Sequence, residues 1–278
     1  PELARADGAP LVHDAVARNV IDVFDYGEGD VDAAFASADV VVERTYHSTP
    51  VCPAPMETHQ ALASWDANGR LTMHASIQMP FLLRAHLARA LDLDEGDVRI
   101  LKMPMGGGFG SRMEMHPLDP IAAVLARKAR RPVRIIYSRR EEFIGTRFRH
   151  PMRVRARLAA TKAGDITALD LDLLTDSGAY VAQALGVARV GAVNAMTLYR
   201  VPNTRVHSEI VYTNNPYASA YRGYGNPQTT FAVESLVTEL AEALGMDELD
   251  LRLRNGNVTG KPTYLGQIIE SCGYGDAM

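Results

Sequence analysis

The sequence predicts an α/β fold of the α+β kind, with mixed sheets flanked by helices, and three observations predict it. Short runs of β-branched or alternating apolar residues recur, among them 40–46, 98–102 and 132–137, with the character of half-buried strands. Other segments space their apolar residues three and four apart, as Val233, Leu236, Val237, Leu240 and Leu244 do, the pattern of an amphipathic helix. Between a strand and a helix stands Met103-Pro104-Met105-Gly106-Gly107-Gly108-Phe109-Gly110-Ser111-Arg112. Consecutive glycines admit positive φ and bring bare backbone N–H groups close to an anion. The loop therefore reads as an anion or cofactor cradle, or as a tight turn. It is neither G-x-G-x-x-G, since Ser111 takes the last glycine's place, nor a P-loop, which needs Gly-Lys-Ser/Thr.

Composition bounds the answer. A chain of 278 residues, 47% apolar and 22% charged, is globular and long enough for one large or two ordinary domains. Its 33 acids and 29 bases form no long block of one sign, so neither nucleic acid nor a membrane is an expected partner. No apolar run reaches the roughly 18 residues of a membrane span. The start, Pro1-Glu2-Leu3, is neither a signal peptide nor an initiating methionine, and the expectation is an excised or processed piece. Cys52 and Cys272 lie far apart in sequence. They cannot ligate an iron–sulfur cluster or structural zinc by themselves, and a reduced, cytoplasmic compartment is simpler than a disulfide. The eight histidines form no metal-binding pair, so no metal held by protein side chains is expected.

Taken in order, residues 1–30 read as an extended lead-in. Asp30 caps a short helix, and 40–46 is a strand. Three prolines in 50–55 exclude helix and central sheet. After them, Glu57 and His59 are either a proton-transfer pair or a buried acceptor pinning backbone. Asn68-Gly69 joins strands 62–66 and 71–75 as a hairpin. Gln78 then sits at a strand end, either as a donor to a ligand or as a surface glutamine, before a helix with Phe81, Leu83, Leu87 and Leu91 on its apolar positions. Past the glycine loop, the helix 120–131 shows Ile121, Val124 and Leu125, and the strand that follows makes a βαβ crossover possible. A short helix opens at Ser138. In the hairpin about Gly164, Arg157 should face Asp170 and Arg155 should face Asp172. Small residues at 182–196 allow a close-packed helix or a substrate-proximal loop. A strand at 205–213 leads to a second glycine-bearing loop, Ala218-Ser219-Ala220-Tyr221-Arg222-Gly223-Tyr224-Gly225. Asn226 caps and Pro227 starts a helix that Gly245 ends, a last helix runs 247–254, and the rest looks irregular. The division expected is a lead-in at 1–30, a first lobe at 31–140 with the glycine loop, and a second lobe at 141–278 with the Arg-Gly-Tyr-Gly loop.

The order Met56-Glu57, Gln78, Gly106 to Gly110, Arg149-His150-Pro151, Asp176-Ser177-Gly178-Ala179-Tyr180, Thr213-Asn214 and Ala220 to Gln228 resembles the molybdenum-binding subunit of the xanthine dehydrogenase and aldehyde oxidase family, specifically its first part. The resemblance implies the molybdopterin-binding fold of that family. It also implies a molybdopterin cofactor, in its cytosine dinucleotide form, holding molybdenum with no protein atom on the metal. Gln78 would face an oxo group. Gly107, Gly108, Phe109 and Gly110 would lie along the pterin and metal centre, with Ala220, Tyr221 and Arg222 contacting it too. Tyr224 and Phe109 would meet the substrate ring. The implied reaction is oxidation of an aldehyde, an N-heterocycle or a related aromatic with water as oxygen source, and the cofactor carries the chemistry. Electrons would leave through 2Fe-2S and FAD centres on an iron–sulfur subunit and an FAD subunit.

The chain departs from the family pattern in several places. No segment matches the Gly-Glu loop that supplies the family's general base, so the remaining half of the subunit is an expected partner. Met113 stands where purine oxidisers carry a glutamate, and Glu114 is one place off. Gly223 stands where carbon monoxide dehydrogenases carry a cysteine. Arg189 corresponds, one place out of register, to an arginine that orients substrate in some members. A different class of reading is a non-catalytic structural half that binds no cofactor, favoured for the chain alone by the missing base. A nucleotide-binding enzyme built on the Gly106 loop is disfavoured by the failed spacing.

Overall fold

The structure is a computed structural model and describes residues 1–195, 197–263 and 266–278. Its elements in order are β1 (Val20–Glu28), α1 (Val31–Ala36), β2 (Val40–Ser48), β3 (Gln60–Trp65), β4 (Leu71–Ala75), α2 (Pro80–Leu91), β5 (Val98–Lys102), α3 (Leu118–Ala129), β6 (Val133–Ile136), α4 (Arg139–Gly145), β7 (Met152–Ala160), β8 (Ile166–Gly178), α5 (Ala184–Asn194), β9 (Asn203–Tyr212), α6 (Asn226–Leu244), α7 (Glu248–Asn255) and α8 (Tyr274–Ala277). The mixed α/β class is as expected from the sequence. Local chemistry explains the helix ends: Asp30 accepts from the Ala33 N–H, Ser138 and Glu141 form a reciprocal capping box, and Asp247 accepts from the N–H groups of Leu249 and Asp250. The cap of α6 is Gly225 rather than Asn226, which is already the first helical residue.

The chain divides into two compact units, one of residues 1–50, 150–218 and 223–278, the other of 51–149 and 219–222. The division therefore differs from the lead-in and the boundary at 140 expected from sequence. The reason is strand pairing across long sequence distances. Part of the lead-in is β1, which pairs antiparallel with β9, and β2 pairs antiparallel with β7. The N-terminal residues thus complete a sheet that the later half begins.

In the first unit the strand order is β1-β9-β8-β7-β2. The β7–β8 register places Arg157 opposite Asp170 and Arg155 opposite Asp172, as the charge alternation predicts. Leu169, Leu171 and Leu173 on β8 and Leu236, Val237 and Leu240 on α6 are all fully buried in one core, each contributing roughly 1.5–3 kcal/mol. The small-residue stretch forms α5, packed so closely on the second loop that a Cβ on Gly191 would lie 3.0 Å from the Gly225 carbonyl oxygen. Met196, the last residue of that stretch, lies outside the described residues.

In the second unit the order is β5-β4-β3-β6. β4 and β5 are parallel neighbours joined by α2, whereas β3 runs antiparallel to both β4 and β6. The expected crossover from β5 through α3 to β6 exists, but it spans the sheet from edge to edge. On α2, Leu83 and Leu87 are buried while Phe81 is exposed. The face of α3 is opposite to expectation: Ile121, Val124 and Leu125 are exposed, and Leu118, Ala122, Ala123 and Ala126 are buried. Small alanines let the helix approach β3 closely, so size decided which stripe turned inward. Among the described residues no helix is long and apolar enough to cross a membrane.

Candidate functional site

The glycine loop, Gln78 and the segment Ser219–Arg222 all belong to the second unit, and the structure brings them together. The N–H of Gly110 donates to Gln78 Oε1 at 2.9 Å, and the N–H of Gln78 donates to the Arg112 carbonyl at 2.8 Å. The Arg222 N–H donates to the Phe109 carbonyl at 2.8 Å. Arg149 stacks its guanidinium 4.2 Å from the Tyr221 ring centre and donates to the Arg222 carbonyl at 2.7 Å. The glycine loop and residues 219–222 of the second loop, recognised separately in sequence, thus lie side by side in the second unit.

The loop conformation is one that few sequences permit. Gly107 has φ +107°, Phe109 +50° and Gly110 +97°. A Cβ on Gly108 would lie 2.5 Å from Gln78 Oε1, and one on Gly110 would lie 2.8 Å from the Ala220 carbonyl oxygen. Among the described residues the N–H groups of Gly107, Gly108, Phe109, Ala220 and Tyr221 make no hydrogen bond. Gln78 spends its carbonyl on Gly110, and its Nε2 has no partner there either. A row of backbone donors without a protein partner, on a loop of which Gly108 is buried and the rest is partly open, fits a polyoxygenated or anionic cofactor. The donor set, all N–H and no carboxylate or thiolate, suits a group whose metal is held by the cofactor's own atoms. The Phe109 ring is half exposed, and the Arg222 guanidinium forms no ion pair among the described residues.

The remaining sequence candidates fall elsewhere. Glu57 does not pair with His59: it accepts from Gly106 N–H (2.6 Å), Ser76 Oγ (2.9 Å) and Gln60 Nε2 (2.6 Å), which makes it an acceptor pinning the loop. Burial pushes its carboxyl up, but these hydrogen bonds and the charge of Arg112 hold it below the usual carboxylate range. Tyr224 belongs to the first unit, where its φ is +48° and its hydroxyl donates to Gln183 Oε1 at 2.7 Å. Arg189 is ion-paired with Asp22 at 2.8 Å. Glu114 is buried, 3.1 Å from Arg147 and accepting from Ser219 Oγ at 3.2 Å. Both cysteines are free thiols.

Sequence reasoning missed a buried polar group beneath the loop. Both Glu142 oxygens lie within 2.9 Å of His59 Nδ1, and the His59 N–H donates to Glu142 as well. The His116 ring lies 4.0 Å from that of His59 and donates through Nε2 to the Ser111 carbonyl at 2.7 Å. Burial above all, with His59 and Arg147 nearby, keeps His116 well below the usual histidine range and neutral. No spacing rule could have found a pair separated by 83 positions.

Asp119, also in this group, accepts from the His116 N–H at 2.8 Å, and burial pushes its carboxyl up to about 6 from 3.8. A folded-state value above the unfolded one gives stability that is present below pH 3.8 and lost as pH rises through about 6. Asp119→Asn should remove that loss. Its stability relative to the wild type should rise by about 2–3 kcal/mol between about pH 4 and pH 7, read from urea unfolding at each pH. A constant difference across that range would refute the assignment.

A row of backbone donors on glycine-bearing segments of an α/β fold is the kind of surface a large oxygen-rich cofactor needs. The model of the molybdopterin cofactor-binding domain matches residues 12–256, and the chain belongs to that family. It is 35% identical over 270 residues to the nicotinate dehydrogenase large molybdopterin subunit of Eubacterium barkeri, covering 97% of this chain and 63% of that one. It is also 34% identical over 275 residues to the xanthine dehydrogenase molybdenum-binding subunit of Escherichia coli, covering 98% of this chain and 36% of the relative. Among solved structures, the aldehyde oxidoreductase from Desulfovibrio gigas superposes with a TM-score of 0.89 at 30% identity, over 98% of this chain and 30% of that one. The resemblance to molybdenum-binding subunits of the xanthine dehydrogenase and aldehyde oxidase family is borne out, and the chain spans less than two thirds of the relatives it matches.

Proposed function

We propose that this chain is the part of a molybdenum hydroxylase large subunit that holds the metal-bearing end of molybdopterin, in an enzyme oxidising an aldehyde, an N-heterocycle or a related aromatic with water as oxygen source. The observation that carries the reading is Gln78. Its carbonyl is fixed by Gly110, which leaves its Nε2 as an oriented donor beside the unpartnered N–H groups of Gly107, Gly108 and Phe109. Bound there, the cofactor supplies two-electron oxidation at an electron-poor carbon. Gln78 would donate to an oxygen on the metal, the loop N–H groups and those of Ala220 and Tyr221 would hold the cofactor's polar edge, and Arg222 would offset its negative charge. Phe109, half exposed beside these donors, would offer a ring to a planar substrate. Glu114, tied to Arg147 and Ser219, is committed within its own unit, which supports a substrate other than a purine.

The general base, the rest of the large subunit, a 2Fe-2S subunit and an FAD subunit complete the proposed enzyme. The cytosine dinucleotide form of the pterin and a cytoplasmic location belong to the same proposal. The test is molybdenum content by plasma mass spectrometry on the protein purified with its companion subunits. Near-stoichiometric metal is expected. Gln78→Ala with Arg222→Ala should lower it, since each lost hydrogen bond to a charged group weakens binding by roughly 1.5–3 kcal/mol, or more than about tenfold. A wild-type complex without molybdenum, from a host that makes the cofactor, would reject this reading in favour of a structural half.

A further inference from the structure

We propose that Glu57 and Arg112 are positioning residues that together set the geometry of the cofactor-facing loop, a role that rests on the molybdopterin reading above. Three segments that run off the paired strands β3, β4 and β5 meet at these two side chains: the turn before β3, the end of β4 running to Gln78, and the glycine loop after β5. Glu57 joins all three. Its Oε2 accepts from the Gly106 N–H at 2.6 Å and from Ser76 Oγ at 2.9 Å, and its own N–H returns a bond to the Gly106 carbonyl at 3.3 Å. A Cβ on Gly106 would lie 2.5 Å from that of Glu57, so the contact is one that only glycine allows. The donors that follow, at Gly107, Gly108 and Phe109, start from this fixed point.

Arg112 closes the arrangement from beneath. Its side chain is 0% exposed, yet it holds no carboxylate in a bidentate grip. Its Nη2 donates to the Glu57 carbonyl at 2.6 Å, its Nη1 to the Ser76 carbonyl at 3.2 Å, and its own carbonyl takes the Gln78 N–H at 2.8 Å. Glu57 Oε2 lies 3.8 Å away, and Arg112 Nε has no partner. A buried charge costs several kcal/mol in desolvation, and a well-packed apolar residue of similar volume is often as stable. A guanidinium here is therefore better explained by what it orients than by what it stabilises. It points two carbonyls inward and holds the backbone of Gln78, whose side chain caps Gly110. Charge on Glu57 and the position of Gln78 are thereby linked.

The experiment compares the complete enzyme carrying Glu57→Gln, Arg112→Lys or Ser76→Ala with the wild type. Two quantities are read: the rate of molybdenum loss on incubation in cofactor-free buffer, and amide hydrogen exchange over 105–112. An amide at position 57 must set an N–H₂ against either Gly106 and Ser76 or Gln60. Glu57→Gln should therefore release cofactor roughly tenfold faster and raise exchange at 106–110. Arg112→Lys, which keeps the charge but one carbonyl contact fewer, should fall between it and the wild type. Ser76→Ala, which removes one donor and is the mildest change, decides the matter if the first two fail to fold, with roughly threefold faster release expected. Leu171→Val in the core of the first unit is the control for general destabilisation and should release cofactor at the wild-type rate. Wild-type release and exchange in the three variants, or an equal acceleration in the control, would overturn the proposal. Failure of the wild type to hold molybdenum would instead remove the reading on which it rests.

Discussion

Gly110→Ala is expected to separate the two loops of the candidate site and abolish molybdenum retention, with a loss of stability of about 3 kcal/mol. Two costs add. At φ +97° a side chain is strained by about 1–3 kcal/mol, and its Cβ would sit 2.8 Å from the Ala220 carbonyl oxygen and 3.0 Å from the carbonyl carbon. Both obstacles are backbone, so no rotamer change relieves them. The segment Ser219–Arg222 would have to move away, breaking the Arg222 N–H to Phe109 carbonyl bond. Gly69→Ala isolates the first cost: its φ is +80°, but its Cβ would meet nothing within 4 Å, so it should cost about 1 kcal/mol and leave the metal bound. Thermal unfolding and metal content of the two variants check this. Equal losses of unfolding temperature, or full molybdenum in Gly110→Ala, would contradict it.

Asp176→Ala should destabilise the first unit by about 3 kcal/mol without a direct effect on the cofactor loop. Asp176 is buried, its Oδ1 accepts from the Gly178 N–H (2.8 Å) and Thr213 Oγ1 (2.6 Å), and its Oδ2 accepts from Asn215 Nδ2 (2.7 Å). Truncation leaves three donors unsatisfied, at a cost of about 1–3 kcal/mol each where they stay dry. Asp176→Asn should be milder, because the Asn215 amide can turn to present its oxygen to the new N–H₂. Chemical unfolding of both variants tests the order. An alanine variant as stable as the asparagine one would show that water replaces the carboxylate. The Asp-Ser-Gly-Ala-Tyr motif thus fixes a turn in this structure, and it does so through Thr213 and Asn215, 37 and 39 positions away.

What could be read in the chain was what local chemistry writes into it. The Arg157–Asp170 and Arg155–Asp172 pairings were legible because a hairpin turn fixes register and misplaced charges would oppose each other. The glycine loops were legible because only residues without a Cβ tolerate φ near +100° against a neighbouring carbonyl. Gln78 read either as a strand-end donor or as a surface glutamine, and the order of motifs carried the family. The bond between Gln78 and Gly110 was not, because 32 positions of intervening chain carry no spacing rule.

The same limit applies at larger scale. Strand β1 reads as an extended lead-in until β9 pairs with it, and the unit boundary follows from that pairing rather than from composition. The inward face of α3 depends on which stripe fits against β3, and small alanines fit where larger aliphatics do not. Arg112 ends the glycine run in the sequence, and only the folded chain shows that it is buried and donates to the Glu57 and Ser76 carbonyls. By itself the sequence determined most of the elements, the glycine turns and the family, because those depend on neighbours along the chain. The tertiary structure decided which backbone donors stay unpaired and which buried charges hold them there, because desolvation and hydrogen-bond competition are settled only once distant segments meet.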